Sequence, residues 1–270
     1  MKRLACALVL VLLAGGVWSA VDNFRIRHPV SNLEVAVPGQ NGPNAMLVNG
    51  WKTTPAGRQL ASGDMILSGQ LSPDGKFFAF TNTGYTRHAL HIVDLATEKE
   101  IVTFPLEQSW SGLAFAPDGK RIFVSSGAGY PISDIQYFDR WDQDGWKEAR
   151  TGFNLYGAVK GNTAVSSLNV SADGKFLYAL NNSDDHLYIL EIYGGRAVAR
   201  LNVGDHPLSA KLSKDGKTLY VANLGSASVA VVDVSDPNRP NITATLAPIQ
   251  TISRSRWTID SSFPAATRIT

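Results

Sequence analysis

An all-β fold made of repeated four-stranded antiparallel blades, a β-propeller, is predicted by three observations. First, a pattern of a turn followed by alternating residues occurs four times, and its Asp-Gly-Lys triplets begin at Asp74, Asp118, Asp173 and Asp215. Second, these triplets lie 42 to 55 residues apart, close to the period of about 40–45 residues that is typical of propeller repeats with four strands per blade. Third, the residues after each triplet alternate between two faces, and no helical i, i+3, i+4 pattern competes with this alternation.

The strand that follows each Asp-Gly-Lys turn is clearest in the fourth repeat. In residues 217–223, Leu219 and Val221 point to one face, while Thr218, Tyr220 and Ala222 point to the other, as the two-residue period of a strand requires. The equivalent runs are 77–81, 121–125 and 176–180. A further strand, rich in β-branched and aromatic residues, is predicted after a short polar loop, at 89–93, 187–191 and 228–232.

The Asp-Gly-Lys triplets are predicted to be hairpin turns. Glycine accepts a positive φ angle, and an aspartate side chain can bond the backbone two residues further on. The four aspartates are therefore interpreted as structural residues and not as metal ligands or catalytic groups.

The fourth unit also carries motifs that resemble a known repeat family. It combines a Gly204-x-x-Pro207 lead-in, the Asp-Gly-Lys turn and the tetrad Tyr220-Val-Ala-Asn223. These residues resemble the YVTN-type β-propeller repeat, and the resemblance extends from about Met65 to Leu246. It implies a propeller fold and leaves the activity open.

A second resemblance concerns the segment before the repeats. Residues 48–57, Val-Asn-Gly-Trp-Lys-Thr-Thr-Pro-Ala-Gly, are similar to the opening of exported proteins in which a propeller precedes an alkaline-phosphatase-type phosphoesterase domain. Nothing after Leu246 supplies such a catalytic domain.

The N-terminal residues predict export. Lys2 and Arg3 precede an apolar run and then small residues, which is the order of a secretory signal peptide over residues 1–19. We expect cleavage after Ser19 or Ala20, a periplasmic or secreted protein, and no stable membrane insertion once the signal is removed. The alternative is an uncleaved anchor, although the run is shorter than the roughly 20 residues that span a bilayer.

Removal of this signal leaves a chain with neither cysteine nor net charge. Cys6 is the one cysteine, so the mature fold is expected to be held together by its core alone. Without Lys2 and Arg3 the chain has 23 basic and 23 acidic residues. Nucleic acid is therefore not expected as a partner.

The domain organisation follows from where the repeats begin and end. Residues 20–64 are predicted to contribute strands that complete a blade, residues 65–246 to form about four blades, and residues 247–270 to be an irregular tail. Two alternatives explain this tail: the ring closes on four blades, or the chain is a truncated or frame-shifted version of a larger protein, which we favour. The interval between the second and third triplets has extra residues around 133–161, which are predicted to form an outer hairpin that turns at Asp142–Gly145. An EF-hand calcium site is excluded there, because Arg140 occupies the position of the first ligand.

Side chains that could form a site are expected on the loops around the channel. The loop before each innermost strand and the loop after each second strand open on one face, opposite the Asp-Gly-Lys turns. Different side chains at these symmetric positions are the candidates for ligand binding: Trp110, Tyr130, His206, Arg87, Asn82, Asn181 and Asn223. Trp110 and Tyr130 could form an aromatic platform, while the asparagines could instead cap turns.

The function predicted from these residues is non-catalytic binding of a ligand or protein partner on the channel face. No catalytic residue, metal site or cofactor is expected, because no Ser, His and acid arrangement, phosphate loop or Cys/His cluster is evident. The alternative is a hydrolase, either lactonase-like or the propeller module of a phosphoesterase. His206 beside Asp205 could act as a general base in that case.

Overall fold

The computed structural model describes residues 39–41, 44–47, 51–53, 60, 63–126, 134–141, 145–148, 152–155 and 163–247. Contacts divide the chain into two units, residues 1–60 and 61–270. Every regular element in the described ranges is a β-strand. In this described part, no helix is long and apolar enough to cross a membrane.

The first unit contains a small antiparallel sheet. Its strands are β1 (Gly39–Asn41), β2 (Asn44–Met46) and β3 (Lys52–Thr53), paired in that order. Residues 33–37, whose apolar residues alternate as in a predicted strand, lie outside the described residues.

The second unit contains four blades, each an antiparallel sheet whose four strands pair in chain order. Blade 1 consists of β4 (Ile66–Leu71), β5 (Phe77–Asn82), β6 (Ala89–Asp94) and β7 (Lys99–Pro105). Blade 2 consists of β8 (Leu113–Phe115), β9 (Arg121–Ser125), β10 (Ile135–Trp141) and β11 (Gly145–Glu148). The predicted outer hairpin of blade 2 is confirmed by the pairing of β10 with β11.

Blades 3 and 4 repeat the same meander. Blade 3 consists of β12 (Val165–Val170), β13 (Phe176–Asn181), β14 (His186–Glu191) and β15 (Ala197–Asn202). Blade 4 consists of β16 (Pro207–Leu212), β17 (Thr218–Asn223), β18 (Ser228–Asp233) and β19 (Asn241–Leu246). The innermost strands β4, β8, β12 and β16 contact one another in succession. The predicted all-β propeller architecture is thereby confirmed.

Apolar packing between consecutive blades forms the core. One buried cluster joins blades 1 and 2 through residues such as Ile92, Ile122 and Phe138. A second joins blades 2 and 3, and a third joins blades 3 and 4 through Tyr178, Leu187 and Val221. Successive residues of a strand point to opposite faces, so each middle blade contributes one face to each neighbour.

The last described blade leaves one such face open. Tyr178 of blade 3 is 1% exposed because blade 4 covers it, whereas Tyr220, at the equivalent position of blade 4, is 45% exposed. All six residues of β19 are exposed as well. Among the described residues, no buried cluster joins blade 4 to blade 1.

The Asp-Gly-Lys turns have the predicted conformation. The φ angles of Gly75, Gly119, Gly174 and Gly216 lie between 68° and 72°. In the fourth turn, Asp215 accepts hydrogen bonds from the Ser213 hydroxyl at 2.6 Å and from the Lys217 backbone N–H at 3.1 Å. The Ser213 hydrogen bond, followed by the Lys217 one, lowers the pKa of Asp215. The predicted turn conformation is confirmed, and the Asp215 carboxylate holds the fourth turn.

Replacing Gly216 tests the requirement for a positive φ angle. We expect Gly216→Val to lower the free energy of unfolding by more than about 1 kcal/mol, because a β-branched residue is strained at positive φ. The space around a new Cβ is adequate, since its nearest neighbour would be the Ala172 Cβ at 3.5 Å. Urea denaturation measures the change, and Lys217→Ala in the same exposed turn serves as the nearly silent control. An unchanged urea midpoint for Gly216→Val would contradict the prediction.

The two equivalent tyrosines give a matched test of blade packing. We expect Tyr178→Ala to destabilise the protein by about 3 kcal/mol, because it leaves a cavity in a closed interface. Tyr220→Ala should cost less than about 1 kcal/mol, because the side chain lies on an open face. Equal losses in thermal or urea unfolding would show that blade 4 is covered in solution.

Candidate functional site

The innermost strands line a cavity of about 640 Å³, which we call the channel cavity. The residues that line this cavity are called the channel wall, and they are Leu67, Ser68, Gln70, Leu71, Pro73, Ser111, Leu113–Phe115, Ser166–Val170 and Leu208–Lys211. Apolar side chains such as Leu67 and Leu208, which are 40% and 43% exposed, alternate with neutral polar ones. Lys211 is the one ionisable side chain among these described wall residues.

Side-chain hydrogen bonds join neighbouring innermost strands across the wall. The Ser111 hydroxyl donates to the Ser166 carbonyl at 2.7 Å, and the Ser166 hydroxyl donates to the Pro207 carbonyl at 2.7 Å. The Asn169 amide donates to the Ala210 carbonyl at 3.1 Å. These polar groups of blades 2 and 3 are therefore already engaged in holding the blades together.

A β-bulge positions one of the serines that make these hydrogen bonds. The register of the first two strands shifts between Ile66 and Ser68 in blade 1, between Val165 and Ser167 in blade 3, and at the same point in blade 4. A bulge re-aims the extra residue, and in blade 3 that residue is Ser166. Its hydroxyl can thus reach the next blade.

The first and last blades offer polar groups that are not engaged in this way. Within the described part of the chain, the side chains of Ser68, Gln70, Ser209 and Lys211 make no hydrogen bond or ion pair. Gln70, Ser209 and Lys211 are exposed and Ser68 is half-buried. These two hydroxyls, one amide and one ammonium group are the polar groups of the wall that remain for a ligand. Ser209 and Lys211 pair with Ala222 and Tyr220 and therefore share the open face of blade 4.

The loops that precede the innermost strands, which we call the lead-in loops, have the same backbone geometry in blades 1 and 4. Met65 and His206 occupy equivalent positions and both adopt a positive φ, 49° and 50°. The preceding aspartates, Asp64 and Asp205, lie against equivalent glycines, where a Cβ on Gly84 or Gly225 would come within 2.4 Å or 2.5 Å of them. The lead-in aspartate therefore has a structural position in both blades.

Asp64 shows what this aspartate does for the fold. Its carboxylate accepts the backbone N–H groups of Tyr85 at 2.6 Å and Thr86 at 3.1 Å, as well as the Thr86 hydroxyl. Hydrogen bonding, led by the Thr86 hydroxyl, lowers the pKa of Asp64 to about 2. The carboxylate thus fixes the loop after the second strand.

His206 lies in an exposed acidic group. Its Nδ1 donates to Asp205 Oδ1 at 2.6 Å, and its backbone N–H donates to Asp185 Oδ1 at 2.8 Å. The hydrogen bond to Asp205 is the first cause of a raised His206 pKa. Because the pKa is raised, a smaller fraction of the imidazole is in the neutral, proton-accepting form at a given pH than in an ordinary histidine.

The same three residues are those that could hold a metal ion in the described part of the chain. One ligand atom each from Asp185, Asp205 and His206 lies within 4.8 Å of the others. Asp205 already bonds the His206 ring and Asp185 bonds the His206 backbone N–H, which accounts for the closeness of the three side chains without a metal.

The three asparagine candidates are buried and engaged. Asn82, Asn181 and Asn223 are 2%, 0% and 3% exposed. Asn181 accepts the backbone N–H of Ala164 at 2.8 Å, and Asn223 donates to the Val203 carbonyl at 2.7 Å. Asn82 donates to the Arg87 carbonyl, and its Oδ1 lies 2.9 Å from His91 Nε2. These hydrogen bonds to loop backbone groups agree with the interpretation that the asparagines cap turns.

The remaining candidates are not among the residues of the channel wall. Trp110 is 44% exposed and Arg87 is exposed, yet neither they nor His206 are among the wall residues. Tyr130 lies outside the described residues, so the proposed platform with Trp110 stays a prediction. The structure brings none of the described candidates to the channel wall.

Sequence reasoning missed the groups that the wall offers. Ser68, Gln70, Ser209 and Lys211 lie in innermost strands, whereas the candidates predicted from the sequence lie in or beside loops. A signal was available, because the alternation in 207–212 places Ser209 and Lys211 on one face. What alternation alone could not tell is whether that face lines a channel or another blade.

The fold and this channel define the protein as a β-propeller with a polar, nearly uncharged central cavity. Residues 68–251 match the family described as lactonase, 7-bladed beta-propeller. The match covers more than half of the chain, so the protein belongs to this family. No curated protein sequence matches the chain.

Solved structures of similar fold come from several bacteria. A protein of unknown function from Desulfotomaculum acetoxidans is 17% identical with a TM-score of 0.58, covering 69% of this chain and 57% of that one. Kuenenia stuttgartiensis hydrazine synthase is 20% identical with a TM-score of 0.52, covering 71% and 52%. A candidate 6-phosphogluconolactonase from Bacteroides uniformis is 18% identical with a TM-score of 0.55, covering 76% and 64%.

These likenesses concern the fold. The identities are low, and this chain spans only 52% to 64% of the three structures. The four described blades compare with a family described as seven-bladed.

Removing the Asp205 carboxylate tests its hold on His206. We expect Asp205→Asn to lower the His206 pKa towards the ordinary 6.5, as measured by NMR pH titration of the imidazole. Because the folded-state pKa is raised, this interaction stabilises the fold fully below pH 6.5 and is lost as the pH rises through the folded-state value. Asp215→Asn is the control. An unchanged His206 pKa in Asp205→Asn would contradict the assigned hydrogen bond.

Proposed function

We propose that the protein is an exported propeller that binds a small ligand in its channel cavity without catalysing a reaction. The observation that carries this proposal is the channel wall, in which the described residues include no carboxylate and no imidazole. Hydrolysis at this wall would need a general base, and Lys211 is the one ionisable group there. Export is supported by the signal-like residues 1–19.

The wall favours a polar ligand that carries a negatively charged group. Ser68, Gln70 and Ser209 can exchange hydrogen bonds with hydroxyl groups, and Lys211 can pair with a carboxylate or phosphate. The exposed leucines can contact an apolar ring face. The name of the Bacteroides relative refers to the lactone of a phosphorylated sugar acid, and a ligand of that class meets these requirements.

The repeat is proposed to be of the YVTN type, and a hydrolase is the second candidate function. The tetrad Tyr220-Val-Ala-Asn223 supports the repeat type. Membership of the lactonase family and the Asp205–His206 pair, 2.6 Å apart, favour lactone hydrolysis. A propeller module of a phosphoesterase is supported only by residues 48–57.

A binding and turnover experiment separates the two functions. The probe is 6-phosphogluconate, with binding measured by calorimetry, and 6-phosphogluconolactone hydrolysis is followed in parallel. We expect binding without acceleration over buffer, and Lys211→Met should weaken binding by about tenfold, the value of a charge-assisted hydrogen bond. Lys217→Met, which removes a lysine on the opposite face, is the matched control.

Two results would overturn the proposal. Failure of the wild-type protein to bind the probe would exclude this ligand class from the channel. Hydrolysis faster than buffer, and lost in His206→Ala, would establish the hydrolase instead.

A further inference from the structure

A second cavity of about 580 Å³ lies between blades 2 and 3, on the face that carries the Asp-Gly-Lys turns. We call it the turn-face cleft. The turns of both blades contribute to it, through Asp118 and Lys120 on one side and Asp173 and Lys175 on the other. It is therefore separate from the lead-in loops and does not depend on the function proposed for the channel.

The floor of the cleft breaks the symmetry of the repeat. Arg121 begins the second strand of blade 2, where the other blades have Phe77, Phe176 and Thr218. Its Nε and Nη2 donate to the two Asp139 oxygens at 2.5 Å and 2.8 Å, and each side chain is 25% exposed. Different side chains at symmetric positions are what a repeat fold needs to build one specific site.

The Arg121 guanidinium is fixed on a second side as well. It lies over the Tyr137 ring, 4.3 Å from the centroid. The two hydrogen bonds and the ring contact immobilise the Arg121 side chain. A ligand that binds it therefore causes little further loss of conformational entropy.

Two exposed aromatic side chains flank this floor from different blades. Trp141, at the end of β10 in blade 2, is 60% exposed, and Tyr193, in the turn after β14 in blade 3, is 82% exposed. Exposed aromatic rings in a cleft are unusual for packing residues, since burial is what makes a large ring stabilising. They offer flat apolar surfaces to a ligand.

The charges of the cleft are nearly balanced. Four basic and three acidic side chains line it. Arg121 is paired with Asp139, and the Lys175 ammonium lies 3.6 Å from Asp173. Paired ions expose both donors and acceptors without a strong net field, so a bare anion or cation gains little there.

We propose that the turn-face cleft binds a neutral saccharide ring of a glycan chain. One apolar face of the ring stacks on Trp141 or Tyr193, and adjacent hydroxyl groups bond the Arg121–Asp139 pair. A pyranose fits both features, because its C–H groups form an apolar face while its hydroxyls at the rim act as donors and acceptors. The open shape of a cleft between two blades suits a chain that continues beyond the bound ring.

Tetrasaccharides provide the probes for this site. Cellotetraose, chitotetraose and maltotetraose are titrated into the full chain and followed by calorimetry. We expect at least one to bind with a Kd below about 1 mM. Trp141→Ala should weaken that binding about tenfold with an unchanged melting temperature, and Tyr193→Ala should weaken it as well.

Matched controls separate this site from the channel. Trp110→Ala removes another exposed tryptophan and should leave saccharide affinity within about twofold. Lys211→Met should also leave it unchanged, so failure of one site is distinguishable from failure of the other.

Two outcomes would overturn the proposal: no tetrasaccharide binding, or tetrasaccharide binding that Trp141→Ala does not weaken.

Discussion

The apolar face that each blade presents to the next blade is the interaction on which the rest of the structure depends. A four-stranded blade has two apolar faces and cannot bury either of them alone. The cluster around Tyr178, Leu187 and Val221 buries one pair of faces, and the other two clusters do the same for their blades. Because alternate residues of every strand make this contact, it fixes the face of the blade to which each side chain points.

The channel follows from that packing. Stacking the blades brings β4, β8, β12 and β16 side by side, and serine and asparagine side chains then bond the backbone of the next blade. The polar groups that remain for a ligand are those whose neighbours do not use them, such as Gln70 and Lys211. A side chain's availability is therefore decided by the blade beside it and not by its own residue type.

Function in this fold depends on departures from symmetry. Asp64 and Asp205 occupy equivalent lead-in positions, yet one fastens a loop and the other bonds an exposed histidine. Arg121 replaces the aromatic or hydroxyl residues of the other blades and forms a paired ion at the floor of the turn-face cleft. The two faces of the propeller thus acquire different chemistry from one repeated framework.

The sequence by itself determined the local structure. Four Asp-Gly-Lys triplets predicted four turns with positive φ at glycine, and two-residue alternation predicted the strands, because both depend on residues close together in the chain. Only the tertiary structure decided which polar residues face a cavity: Asn82, Asn181 and Asn223 are buried in loop contacts, while Ser209 and Lys211 line the channel. Alternation separates the two faces of a strand, but the blade or cavity that lies against each face is supplied by residues some forty positions away.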